Sequence, residues 1–172
     1  MSLEQLNNSL SILVVLGQIF IPVAILYLLF FKKYNSKVNK LINNNSILFA
    51  FIVALVSTLS SLYYSQIAHF IPCELCWFQR IFMYPLVVLL GLALIKKKDE
   101  IIDYCLALVA IGTLFSLYHN YIYYNTQTAN FCSIIAPCTE RYITSFGYIS
   151  ISLMALTAFL MIALLLINKK IK

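Results

Sequence analysis

Five stretches of this chain are about 20 residues long, strongly apolar and almost free of charge, and that pattern decides most of what the chain can become. They lie at residues 11–31 (SILVVLGQIFIPVAILYLLFF), 46–68 (SILFAFIVALVSTLSSLYYSQIA), 77–95, 101–122 and 146–167 (FGYISISLMALTAFLMIALLLI). A helix rises about 1.5 Å per residue, so roughly 17 to 25 apolar residues cross the hydrocarbon core of a bilayer. Each stretch meets that requirement as one span. The composition agrees, because 62% of the residues are hydrophobic and only 10% charged, far from the balance of a soluble domain. With 172 residues, no segment outside the spans is long enough for a separate soluble domain. Four glycines and four prolines favour helices over turn-rich sheet.

The net charge of +6 could point to nucleic acid or acidic lipid, but its placement carries more information than its sum. Lys32, Lys33, Lys37 and Lys40 follow span one, Lys96, Lys97 and Lys98 follow span three, and Lys169, Lys170 and Lys172 follow span five. Every lysine therefore falls on one side of the membrane, and only Arg80 and Arg141 reach the other. The positive-inside rule puts the lysine loops in the cytoplasm and the amino terminus outside. Tyr63, Tyr64, Tyr118, Tyr121, Tyr123 and Tyr124 crowd the expected outer helix ends, as interfacial tyrosines do. Glu4 is the one charged side chain ahead of span one, which lacks the basic start of a signal peptide and is expected to stay as an anchor. Pro22 would kink that helix unless neighbours compensate.

On this map Cys73 and Cys76 fall in the external connection between spans two and three, and Cys132 and Cys138 in the one between spans four and five. Cysteines on the oxidising side form lasting disulfides. Cys105 sits near the cytoplasmic start of span four and reads as a small buried apolar residue. The outer four admit three readings. A structural bridge suits Cys132 and Cys138, which would staple a loop of roughly 20 residues. It suits Cys73 and Cys76 poorly, because so short a ring gains little stability and is easily reduced. A zinc site of four thiolates is the second, although C-x5-C with Pro137 inside departs from the usual half-site spacing.

A redox centre is the third, and it accounts for more of the stretch IPCELCWFQR at 71–80. Pro72 turns the chain ahead of a helix, so thiols in the first helical turn meet unpaired backbone N–H groups and the positive end of the helix dipole, which favour thiolate. Arg80 lies four residues past Cys76 on the same face, one turn deeper. A cation at that depth is expensive and reads as functional, holding a thiolate or the oxygen of a redox carrier, although pairing with Glu74 or snorkelling would also house it.

These residues resemble the DsbB/BdbC membrane thiol oxidases. The resemblance rests on PCELCWFQRI at 72–81, LYH at 117–119, and the second pair Cys132 and Cys138 in the right order and on the right side, and it covers about residues 46–167. It implies an all-α membrane protein with a four-helix transmembrane bundle core, here carrying one extra N-terminal transmembrane helix. Residues 1–45 would form the extra helix and a cytoplasmic loop, and residues 46–172 the thiol oxidase domain. The resemblance further implies catalytic Cys73, Cys76, Cys132 and Cys138, a quinone cofactor (ubiquinone or menaquinone) bound by Arg80 and His119, and a DsbA-like thioredoxin-fold partner, in a bacterial cytoplasmic membrane. In such proteins the partner attacks the loop pair at the position of Cys132, the position of Cys138 then attacks that of Cys73, and the sulfur at the position of Cys76 is released beside the quinone. Pro137 and the polar run at 125–130 would let the second loop move, and Thr139, Glu140 and Arg141 could touch the partner. His69 reads as an interfacial loop residue.

The extra helix departs from the family's usual four spans. Quinone-coupled oxidases of the VKOR type place the loop pair before the CxxC, the reverse of the order here. A transmembrane conduit of the DsbD/CcdA type would need reactive cysteines inside spans, whereas these pairs cluster outside. The competing class is a non-enzymatic scaffold with structural bridges or zinc. TLSSLYY at 58–64 and TLFSLYH at 113–119 repeat at an offset of 55, with His119 in the place of Tyr64.

Overall fold

The computed structural model describes residues 3–26, 36–97, 99–125, 132, 138 and 148–170. Within them run five helices: α1 (Leu3–Leu26), α2 (Ser36–Gln66), α3 (Glu74–Lys96), α4 (Ile101–Tyr124) and α5 (Ile151–Lys170). All five are long and apolar enough to cross a membrane, and the chain is a multi-pass helical membrane protein.

Four helix starts differ from the expectation, and one of them, α3 opening at Glu74 rather than 77, takes Cys76 from the expected connection into the helix. α1 starts at Leu3 rather than near residue 11, and α2 at Ser36 rather than 46, so part of the expected cytoplasmic loop is helical. Hydropathy marks only the part of a helix that lies in lipid, whereas backbone bonding continues into polar segments such as EQLNNS. α5 begins later, at Ile151 instead of 146, because Ser150 caps it: its Oγ accepts from the N–H of Leu153 at 3.3 Å. Lys32, Lys33, Lys98, Lys172, Pro137, Arg141 and the loop residues 126–130, 139 and 140 lie outside the described residues.

Helices α2 to α5 form a ring in which each packs against the next and α5 closes against α2, the up-and-down arrangement of a four-helix bundle. α1 stands outside this ring and packs along α5. Lipid tails are as apolar as leucine, so shape rather than water exclusion decides how such helices pack. The core follows that rule. Ala50 and Ala54 of α2, Leu86 and Leu90 of α3, Cys105 and Val109 of α4, and Phe159 and Ile162 of α5 interdigitate in it. Gly112 of α4 lies directly under the ring of the fully buried Phe159, leaving no room for a side chain there. Leucines, isoleucines and valines such as Ile19, Val88 and Leu114 are exposed and face outward, as a lipid-facing surface requires.

The two ends differ in chemistry. At one, Lys169 pairs with Asp99 at 3.8 Å and Lys170 with Asp103, tying α5 to α4 and its entry turn. At the other, α2 ends, α3 begins, α4 ends and α5 begins, and Asn7 near the start of α1 accepts from the hydroxyl of Tyr64 at 2.8 Å. Asn120 knits α4 to α5 near this end, donating to the carbonyls of Ser116 (2.8 Å) and Ser152 (3.0 Å). Both cysteine pairs belong to this second end.

Candidate active site

α2 stops with the N–H groups of Ile67 and Ala68 turned back to the carbonyl of Tyr63, at 2.9 and 3.0 Å. His69 adopts a left-handed conformation (φ 54°), and Phe70 stacks on Tyr64 with ring centres 5.9 Å apart. This closes the turn and delivers Pro72 and Cys73 to the start of α3.

Cys73 is the N-cap residue of α3, and its sulfur accepts from the backbone N–H of Cys76 at 3.4 Å. Glu74 follows in the first turn, where a carboxylate complements the helix dipole. Cys73 and Cys76 are free thiols with sulfurs 2.8 Å apart. Nε2 of His119 lies 3.8 Å from the Cys73 sulfur, and on the far side of the ring the side-chain N–H of Gln79 donates to Nδ1 at 3.1 Å. An amide nitrogen only donates, so Nδ1 accepts and the ring proton sits on Nε2, aimed at Cys73. The Cys73 thiol is pulled down to about 4 from its ordinary 9.0 by the hydrogen bond from Cys76, with His119 and the backbone N–H of Cys76 assisting and burial opposing.

Arg80 sits one turn below Cys76 and reaches across to α2. Its Nε donates to Ser61 Oγ at 2.9 Å and its Nη2 to the Ser61 carbonyl at 3.1 Å, while the guanidinium lies 5.3 Å from the centre of the Trp77 ring. Tyr84 lies a further turn down, its hydroxyl 3.5 Å from the same Ser61 Oγ. The alternative of a pair with Glu74 is thus not the arrangement adopted.

Cys132 and Cys138 are joined by a disulfide, with Cα atoms 5.8 Å apart. Cys138 is buried and packs with Cys73, Leu75 and Ile122, while Cys76, Phe78, Phe115 and Cys132 close around that cluster. The two pairs are therefore neighbours. Two sulfurs held in a bridge are not available as thiolates, so the arrangement differs from the alternative reading of a four-thiolate zinc site. Cys73, Cys76 and His119 alone offer three metal-ligating atoms within 4.8 Å of one another among the described residues.

The helix pair, Cys138, His119 and Arg80 face one cavity of about 320 Å³. Cys73, Cys76, Gln79, Arg80, Tyr84, His119 and Cys138 line it beside Ser57, Ser60, Ser61 and Tyr64, and the rest of its wall, from Ile52 to Met161, is mostly apolar. The volume suits a small amphipathic ligand. Tyr64 and His119, equivalent in the internal repeat, both line it. His119 thus reaches the dithiol and the cavity together. Cys105 is fully buried in the core away from this cluster, and His69 is exposed in the turn.

Gln79, Ser61 and Tyr84 were not among the residues that the sequence singled out. The signal for Gln79 was present, since it is a polar side chain inside a lipid-spanning segment, the same reason that drew attention to Arg80. Ser61 gave no such signal, because a serine can satisfy its hydroxyl on its own helix.

A helical membrane bundle that seats a C-x2-C dithiol and a disulfide against one another defines a membrane thiol–disulfide oxidoreductase. The family model described as "Disulfide bond formation protein DsbB" matches residues 43–168, and this chain belongs to that family. It is 46% identical over 113 residues to "Probable disulfide formation protein C 1" of Bacillus anthracis, covering 63% of this chain and 79% of that one. It is 42% identical over 118 residues to "Disulfide bond formation protein C" of Bacillus subtilis, covering 66% and 83%. With "Probable disulfide formation protein" of Coxiella burnetii it shares 37% identity over 133 residues, covering 76% and 90%. No solved structure matches the chain.

Proposed function

We propose that this protein reoxidises a thioredoxin-fold thiol partner on the extracytoplasmic side and passes the electrons to a membrane quinone, sustaining disulfide bond formation. The observation that carries it is the sharing of one cavity by the Cys73 and Cys76 dithiol, Cys138 of the loop pair, and Arg80. Family membership and the names of the relatives support the disulfide chemistry.

The residues do this in three exchanges. A partner thiolate attacks Cys132, giving a mixed disulfide and freeing Cys138; the partner's second thiol resolves it and leaves oxidised. Cys138 attacks Cys73 of the oxidised helix pair, releasing Cys76 as thiolate, and Cys132 then displaces Cys73 to restore the loop bridge. The two electrons now reside on Cys73 and Cys76. In this scheme a bridged loop pair beside a reduced helix pair is the state ready to discharge.

A quinone, when bound, supplies a two-electron, two-proton acceptor. The donor set fits its head: Arg80 has five N–H donors, of which Ser61 engages two, and Tyr84 and His119 offer further polar atoms on the same wall. Arg80 would fix a carbonyl oxygen near Cys76 and stabilise charge as it builds there. His119, with its proton on Nε2, holds the Cys73 thiolate and is placed to move that proton.

The test is turnover of the purified protein with a reduced thioredoxin-fold substrate and a quinone. Cys76→Ser is expected to abolish quinone reduction while the protein stays folded. Full activity in that variant would overturn the mechanism.

A further inference from the structure

We infer that α1, the helix outside the matched family region, is a wall of the acceptor site and holds the lipid tail of the quinone along the side of the bundle. This rests on the quinone reading above. The ring of α2 to α5 is complete without α1, yet α1 supplies Leu10, Leu13 and Val14 to the cavity. It leans on α5 through Gly17, where an added Cβ would lie 2.7 Å from Met161 Sδ and 3.1 Å from Thr157 Cγ2. It is bonded to α2 near its start, between Asn7 and Tyr64. α1 therefore lies over the seam where α2 meets α5, packed on α5, with Leu10, Leu13 and Val14 lining the cavity together with Val53 and Val56.

The chemistry along that cavity changes with depth. Ser60, Ser61, Arg80 and the thiols lie at the dithiol end, whereas Ile52, Val53 and Met161, further along α2 and α5, continue it with aliphatic and thioether surface among which Ser57 and Thr157 are polar. A molecule with a polar ring and a long hydrocarbon tail matches that gradient, ring against Cys76 and tail beneath α1. Tail contacts of this kind set affinity and retention and leave the electron transfer itself unchanged.

The experiment compares two quinones of the same ring, one with a long isoprenoid tail and one with a methyl group in its place, in Leu10→Trp and Val14→Trp full-length protein. Ile12→Trp and Leu16→Trp, at positions 53% and 57% exposed, are the lipid-facing controls. Filling the wall is expected to raise KM for the tailed quinone about tenfold, the size of one overpacked contact, with kcat and the KM for the tailless ring unchanged. The controls should alter neither. A photoreactive group on the tail should label α1 in the unmutated protein, a readout that does not depend on how the variants fold. Equal loss with both quinones, no change in either, or no label on α1 would overturn the inference and leave the quinone function standing. Failure of the unmutated protein to reduce any quinone would sink that function and this inference with it.

Discussion

At the scale of single residues, the site is governed by how one sulfur is held. Cys73 collects a thiol from Cys76, a ring N–H from His119 and a backbone N–H, all aimed at the charged form. Because the thiol is depressed in the folded state, deprotonation favours folding. The stabilisation is complete above the ordinary thiol value of 9.0 and is lost as pH falls toward about 4. The reduced protein should accordingly keep its thiolate absorbance at neutral pH, with a midpoint near 4. His119→Ala should move that midpoint upward, partway, since the Cys76 contribution remains. A midpoint unchanged by the substitution would show that the imidazole does not act on this sulfur. The cysteines and Arg80 were legible because thiols at C-x2-C spacing and a cation in lipid are rare enough to signify. Gln79 carried a signal as a polar side chain in a lipid span, but its role was not legible, because that depends on meeting His119 of another helix, 40 residues away, and no local pattern encodes the meeting.

At the scale of elements, the fit of α4 on α5 is the sharpest test of how this bundle packs. Replacing Gly112 by alanine improves intrinsic helix propensity by about 1 kcal/mol. It also drives a methyl group into the ring of Phe159, which is fully buried and has little room to yield. Overpacking of that kind costs about 1 to 3 kcal/mol, so Gly112→Ala should lower stability in detergent despite the better propensity. Phe159→Leu should cost less in the Gly112→Ala background than alone, and additive costs would mean that the two positions do not meet. The existence and order of all five helices were legible, since twenty apolar residues in a row leave little choice. Their ends were less so. Ser150 decides the start of α5 by a single cap bond, and the polar beginnings of α1 and α2 are helical without being hydrophobic.

At the scale of the whole molecule, the question is which face of the membrane the cysteines occupy. The fold sets both pairs and the start of α1 at one end, and Lys96, Lys97, Lys169 and Lys170 at the other, so fixing one end fixes all. Lysine bias determines which way such a bundle inserts, because retaining basic loops costs less than moving them across. The acidic residues do not offset it: Asp99 and Asp103 share the lysine end, and acidic charges contribute little to the choice. The thiol end should therefore face outward. In a cysteine-free background, Ile67→Cys, 63% exposed beside the dithiol turn, should react with an impermeant thiol reagent added to intact cells. Glu100→Cys, exposed at the lysine end, should react only once the membrane is opened. The reverse pattern would place the dithiol in a reducing compartment, where a disulfide between Cys132 and Cys138 would not persist and an oxidising role could not be sustained.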